Sequence, residues 1–308
     1  MIFVFGSMNI DIVMPVDHFP KPGETVPSAA DYLSRTGGKG ANQAVAAVRA
    51  GAKVAMVGKV GDDAFGRRSI NNLKSQSIWT SGIAISERPT GCATIAVDRH
   101  GANMVMTAPG ANLDATSDQL PDEVFSSKNI ILVQMETMPA ETLSVLSRAK
   151  QGGATSIFNA SPAAGVTEDM VCLVDYVIVN EIEALQLAQE LGLSAKTPEE
   201  LAHALSSRAN NVCIITLEEK GSIAVKDGAL YRQAPLPVEV VDTTGAGDAF
   251  CGIFAACLQA GQDWLAALRH ASVGASLSCL GLSAQAGMPF LEDITTALEK
   301  VPAAEKIS

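Results

Sequence analysis

The string Asp242-Thr243-Thr244-Gly245-Ala246-Gly247-Asp248, followed by the helical run Ala249-Phe250-Cys251-Gly252, concentrates the chain's chemistry. Gly245 and Gly247 let successive backbone N–H groups converge without Cβ clashes, and the helix that follows adds the positive end of its dipole. Backbone 245–247 then makes an anion hole, suited to phosphate or to charge developing on a transferring phosphoryl group. Asp248 falls in the first helical turn and points at the same spot. A carboxylate there can act as a general base that takes the proton of an attacking hydroxyl. The plainer alternative is a helix cap preceded by two turn glycines. We read the string as functional.

Residues 37–42, Gly37-Gly38-Lys39-Gly40-Ala41-Asn42, form a second Gly-rich turn that opens a helix. No Ser or Thr follows Lys39 and the GxxxxGK spacing is absent, so this is not a nucleotide P-loop. With Asn9 and Asp11 upstream, it supplies the mixture of amides and carboxylates that recognises uncharged carbohydrate hydroxyls. A third element, Asn180-Glu181-Ile182-Glu183, lies where a strand hands over to a helix. The carboxyl ends of parallel strands face the ligand crevice in open α/β sheets. Asn180 and Glu183 can position a hydrated magnesium ion against nucleotide phosphates. An acidic first turn complementing the helix dipole explains the same residues, and both readings stand.

These residues need a scaffold, and the pattern around them predicts one. Runs 2–5, 54–57, 130–133, 156–158, 176–179 and 212–216 are short, β-branched and apolar, as strands covered on both faces should be. Between them lie helical stretches 41–50, 139–151 and 181–191, closed by Gly51, Gly152 and Gly192. Two long helices are expected at about 246–260 and 263–279. The expected fold is α/β: a doubly wound, mostly parallel sheet flanked by helices, in one domain over residues 1–308. Residues 12–35 and 90–108 break the rhythm, the first by its prolines and the second by reading as a hairpin. Together they suggest a small antiparallel β-sheet serving as a lid over a cleft.

Composition narrows the partners. Of 308 residues, 47% are hydrophobic and 18% charged, which suits a large core and excludes disorder. A net charge of −11 argues against nucleic acid or an anionic membrane, while leaving room for a small anion at a local positive site. Six cysteines without a CxxC pair read as buried hydrophobes of a reducing compartment, and four histidines lack ligand spacing. The first residues read as a strand, and no apolar run reaches the roughly 18 residues of a membrane span. A cytoplasmic location is expected.

GGKGANQA at 37–44 and DTTGAGDAF at 242–250 make the chain similar to the ribokinase-like (phosphofructokinase B) carbohydrate kinase family, from Gly6 to about Pro289. The second block marks the family; the first resembles ribokinases more than fructokinases or adenosine kinases. The resemblance implies an ATP-dependent kinase that transfers the γ-phosphoryl group to a primary hydroxyl of a pentose, with D-ribose first and ribose 5-phosphate as product. It implies sugar contacts at Asn9, Asp11, Gly38, Lys39, Asn42, Glu136 and Asp248, with Asp248 as base and Gly245, Ala246 and Gly247 as anion hole. Asn180 and Glu183 match the family's element for magnesium and phosphate. Thr216, Glu218, Gly221, Gly245 and Gly247 match its nucleotide border, and His270 a position near the adenine. Asp242, Thr244, Ser276, Cys279, Gly281 and, more loosely, Gly287 fall where ribokinases hold a monovalent cation, potassium. Three departures stand out. Glu218 replaces the first Gly of TLGxxG, Cys279 replaces a common Arg, and Gly281–Pro289 is two residues longer than usual.

Rival readings are a kinase for deoxyribose, fructose or a nucleoside, and a silent sugar-binding regulator, against which intact Asp248 and its glycines argue. A dinucleotide-dependent oxidoreductase is discounted, because no GxGxxG follows the first strand. A homodimer joined through the lid is a further expectation.

Overall fold

The computed structural model describes residues 1–282 and 284–307. The chain opens with β1 (Ile2–Phe5), β2 (Asn9–Pro15) and β3 (Leu33–Gly37), then α1 (Lys39–Arg49) and β4 (Val54–Gly61). Helix α2 (Ala64–Ser75) leads to β5 (Trp79–Ser86), β6 (Gly91–Val97), β7 (Asn103–Ala108) and β8 (Ile130–Val133). Strict alternation follows through α3 (Pro139–Gly152), β9 (Thr155–Asn159), α4 (Glu168–Leu173) and β10 (Tyr176–Asn180). Next come α5 (Glu181–Glu190), α6 (Pro198–Ala209), β11 (Val212–Thr216), β12 (Ser222–Lys226) and β13 (Ala229–Gln233). The last stretch holds α7 (Ala246–Gln259), α8 (Trp264–Ser278), α9 (Ala284–Gly287), α10 (Leu291–Leu298) and β14 (Glu305–Lys306).

The main sheet has ten strands in the order β14-β13-β12-β11-β10-β9-β8-β1-β4-β5. From β11 to β5 every pairing is parallel, and β12 to β14 add antiparallel strands at one edge. Each face carries its own core. Ala44, Phe250, Phe254 and Leu268 pack on one side, and Leu146, Met170, Leu187 and Leu205 on the other. Winding helices onto both faces buries both sides of each central strand, which is why their sequences are almost continuously apolar.

Four strands form a second sheet, in the order β3-β2-β6-β7. It is mixed rather than antiparallel, because β2 runs parallel to β6 with Asp11 opposite Ala93. The physical reason is the connection. Between β2 and β6 the chain passes through the main sheet and returns, and such a crossover delivers a strand in the same direction. The β6–β7 hairpin is antiparallel, with Val97 opposite Asn103. Helix α3 also ends one residue later than its sequence suggests: Gly152 is helical and Gly153 takes the left-handed cap with φ 78°. Cys172 is exposed and Cys92 half-buried, while the other four cysteines are buried as expected.

What positions the site is the pairing of α1 with α7. Gly252 makes it possible, because a Cβ there would lie 2.4 Å from the Gln43 carbonyl and 2.7 Å from the Ala46 Cβ. The two helices therefore approach backbone to backbone. Both begin after a glycine of positive φ, Gly38 at 89° and Gly245 at 85°, and their N-termini meet in the same place.

Candidate active site

Asp248 lies at the third position of α7 and is buried, with 7% of its surface exposed. Asn42 Nδ2 donates to its Oδ2 at 2.9 Å, and Gln43 Nε2 donates to its Oδ1 at 3.0 Å. Each oxygen keeps a lone pair for a further donor. Burial raises the Asp248 pKa, and the Glu136 carboxylate adds to it; the Lys39 ammonium and the two amide hydrogen bonds work the other way without cancelling it. A carboxylate made more basic beside a cation that favours its charged form is the condition a general base needs.

Lys39 opens α1, and its backbone N–H donates to Glu136 Oε2 at 3.1 Å. Burial works against its ammonium, but the Asp248, Glu136 and Glu183 carboxylates outweigh it and hold its pKa above the ordinary lysine value. Glu136 also accepts from the Ser7 hydroxyl. Asp11 projects from β2 over Gly37, where a Cβ would come within 2.0 Å of its carboxylate. Its pKa is raised to about 6, first by burial and then by Glu136 and Asp248. Asn9 is buried, and its Oδ1 accepts from Asn112 Nδ2 at 2.7 Å. Gly38 admits the β2 backbone, since a Cβ there would sit 2.8 Å from Asn9 N. The structure thus brings Asn9, Asp11, Gly38, Lys39, Asn42, Glu136 and Asp248 to one place.

Glu183 and Asn180 make a reciprocal helix cap. Asn180 Oδ1 accepts from Glu183 N at 2.7 Å, and Glu183 Oε2 accepts from Asn180 N at 3.0 Å. Glu183 Oε1 accepts from the Ser161 hydroxyl. The cap does not remove Glu183 from the site, because its charge is still felt by Lys39 and Cys251. Among the described residues no three acidic, His or Cys side chains cluster as metal ligands. A hydrated magnesium needs only one or two protein carboxylates, so the donors present fit one held mainly by water and phosphate.

Thr216 ends β11, and Glu218 and Gly221 form the turn after it. Glu218 has φ 50°, the left-handed conformation that glycine adopts freely, and its side chain is exposed to solvent. The turn thus keeps a glycine's backbone with the carboxylate turned outward. Gly221 is required, because a Cβ there would sit 2.1 Å from the Gln233 carbonyl. His270 is half-buried in α8, its Nδ1 paired with the Ala266 carbonyl at 2.8 Å, away from the carboxylate cluster's hydrogen bonds.

Behind Gly245, three segments converge. Thr244 N donates to Asp242 Oδ1 at 2.9 Å, and Gly281 packs against Gly287 so closely that a Cβ would lie 2.8 Å from its Cα. The Cys279 carbonyl accepts from both Val241 N and Asp242 N, at 2.8 and 3.2 Å, so its lone pairs are occupied. Ser276 Oγ is likewise engaged, donating to the Ser272 carbonyl and accepting from Leu236 N. The Ala246 N–H donates to the Thr243 carbonyl at 3.1 Å, closing the turn instead of pointing into the hole. Within 281–289, Ser283 lies outside the described residues.

Several contributors escaped the motif reading. Gln43 and Gln134 are fully buried and Asn159 nearly so. Gln134 Nε2 donates to Gln43 Oε1 at 2.6 Å, and Gln43 Nε2 donates to Asn159 Oδ1 at 3.0 Å. The signal was present: Gln134, Asn159, Asn180 and Thr216 each close an apolar strand run with a polar residue.

The sequence matches the pfkB family carbohydrate kinases over residues 1–291. The chain belongs to that family. It is 37% identical over 302 residues to the ribokinase of Bacillus subtilis (strain 168), covering 96% of this chain and 99% of that one. Its structure is similar to the Thermotoga maritima ribokinase, with a TM-score of 0.90, 33% identity, and coverage of 97% of this chain and 99% of that. The Arabidopsis thaliana ribokinase, solved in complex with ribose and ATP, superposes with a TM-score of 0.85 at 27% identity, covering 97% of this chain and 98% of that one. This member of the pfkB family is thus a carbohydrate kinase in which the Asp11, Glu136 and Asp248 carboxylates lie close enough to perturb one another.

Proposed function

We propose that this enzyme transfers the γ-phosphoryl group of ATP to the primary 5-hydroxyl of D-ribose, giving ribose 5-phosphate. One observation carries the reading: buried Asp248 is clamped by Asn42 and Gln43, faces Lys39, and shares its cleft with Asp11 and Glu136. Asp248 takes the proton of the attacking hydroxyl as the bond to phosphorus forms. Lys39 balances negative charge gathering at the start of α1 and α7, and the Gly245 and Gly247 N–H groups add to it, that of Ala246 being bonded to the Thr243 carbonyl. Asp11, Asn9, Asn42 and Glu136 take the remaining sugar hydroxyls, with Gly38 leaving room for the ring. Thr216, Gly221 and the outward-facing Glu218 border the nucleotide, with His270 farther along its base. Asn180 and Glu183 would hold magnesium, which supplies charge neutralisation on the nucleotide phosphates when bound.

A monovalent cation behind the anion hole belongs to the proposal in reduced form. Asp242, Thr244, Ser276, Gly281 and Gly287 are the candidate oxygen donors, while the Cys279 carbonyl already accepts two backbone N–H groups. The second sheet acts as the lid, with a homodimer formed through its apolar face. Unpaired thiols suit a reducing compartment, and we place the enzyme in the cytoplasm.

ADP release measured across D-ribose, 2-deoxyribose, fructose and nucleosides tests the substrate. A buried polar group stranded by a missing hydroxyl costs roughly 1–3 kcal/mol. D-Ribose should therefore exceed 2-deoxyribose by about tenfold or more in kcat/KM. Asp248→Asn should lower turnover at least ~100-fold with little change in ribose binding. Equal use of the two pentoses would overturn the ribose assignment, and an active Asp248→Asn would overturn the mechanism.

A further inference from the structure

Asn42 is held from its far side. Its Nδ2 donates to Asp248 Oδ2 at 2.9 Å, while its Oδ1 accepts from Gln285 Nε2 at 3.0 Å. Gln285 sits on the short helix α9, and its own Oε1 accepts from Thr36 Oγ1 at 2.9 Å and Asn72 Nδ2 at 2.8 Å. Each amide in this chain could in principle be turned end for end. The carboxylate forbids it, because an ionised carboxylate only accepts. Asn42 must therefore present its N–H groups inward and its oxygen outward, Gln285 must present its N–H groups to that oxygen, and the Gln285 oxygen needs the two donors it has.

Gln285 is itself fixed. It is 7% exposed, and its backbone carbonyl accepts from Arg49 Nη1 at 2.8 Å, an anchor that the Met288 carbonyl shares. The donors on its oxygen come from β3 of the second sheet and from α2, so one amide ties those elements to the N-terminus of α1. No other side chain among the described hydrogen bonds of the Asn42 oxygen takes that place.

We propose that Gln285 is a positioning residue for phosphoryl transfer, locking the Asn42 amide so that its N–H faces the Asp248 carboxylate. Without Gln285, the Asn42 oxygen has no donor and the amide is free to turn, setting oxygen against carboxylate. The assignment rests on Asp248 being the base.

Loss of the Asn42 hydrogen bond should raise the Asp248 pKa, since that bond favours the charged form. The groups facing Asp248 are Lys39 on α1, Gln43 on α1, Glu136 after β8, Asp11 on β2 and Cys251 on α7. None of these changes in Gln285→Leu, which adds no charge, so a shift in that variant reports the amide. Two variants separate the role from packing. Gln285→Leu removes all three side-chain hydrogen bonds, whereas Gln285→Glu keeps the two accepted from Thr36 and Asn72 and sets a charged acceptor in place of the donor to Asn42.

Both variants should lower kcat on D-ribose about tenfold or more, leave the KM for ATP within twofold, and move the acidic limb of the kcat profile to higher pH. In an Asn42→Ala background, Gln285→Leu should cost little further, because the two act as a unit. If Gln285→Glu melts like the parent and keeps its kcat and pH profile, the proposal falls. Additive losses from Asn42→Ala and Gln285→Leu would equally overturn it. Asp248→Asn run alongside distinguishes the failures: an active Asp248→Asn removes the base itself, while an inactive one beside an unaffected Gln285→Glu removes only the positioning role.

Discussion

Burial, aided by the Glu136 and Asp248 carboxylates, pushes Asp11 up to about 6 from an ordinary 3.8. The folded chain therefore holds a proton between those two pH values that the unfolded chain has lost. Stability contributed by this group falls as pH rises from about 4 to about 6, and the full penalty persists above that. Sugar binding runs the opposite way, because the ionised carboxylate is the better acceptor for hydroxyls. Ribose affinity should weaken as pH drops through about 6, while ATP affinity in the absence of sugar stays flat. Asp11→Asn should melt higher than the parent at pH 8, lose that advantage near pH 4, and bind ribose poorly at both. Calorimetric melting and titration across this range check the sign, and a variant that melts lower at pH 8 would contradict it.

Helix α7 places its first turn only because Gly252 lets α1 lie against it. A Cβ at Gly252 meets the Gln43 carbonyl, a backbone atom that cannot swing aside, so one helix must move. Overpacking of this kind costs about 1–3 kcal/mol. Gly252→Ala should lose stability of that order and also lower kcat, since Asn42 and Gln43 ride on the displaced helix. A melting point and kcat both equal to the parent's would show that the close approach is dispensable. The main sheet's strands were legible because burial on both faces leaves a local, almost uninterrupted apolar run. The Gly-rich turns at 37–42 and 245–247 were legible for a similar reason, since the conformation they need is local. Gln285 was not, because its partner Asn42 lies 243 residues away, and no spacing within a motif encodes such a pair. The parallel direction of β2 and β6, where an all-antiparallel lid is expected, is illegible on the same grounds: direction is set by where the intervening chain travels, not by the two strands.

At the scale of the molecule, the second sheet is anchored on one side and open on the other. Its register sets Leu33, Val13, Ile95 and Val105 in a single row across all four strands, next to the row of Arg35, Asp11, Ala93 and Thr107. The face that presents Asp11 to the cleft thus continues into an apolar strip. Leu33 is 48% exposed and Val105 52%, and all six residues of the edge strand β7 are exposed. Such a strip on an edge-exposed sheet is costly in water, and a second copy offers a complementary apolar row through two-fold symmetry. Pairing there would also steady the strand that carries Asp11, which links assembly to sugar binding. Light scattering should give twice the 32.0 kDa chain mass for the parent. Val105→Asp, on the exposed edge strand of the proposed interface and away from the carboxylate cluster, should give the single-chain mass and raise the KM for ribose severalfold with ATP affinity unchanged. A parent that scatters as one chain at micromolar concentration would refute the dimer, and a monomeric Val105→Asp with an unaltered KM would separate assembly from the site.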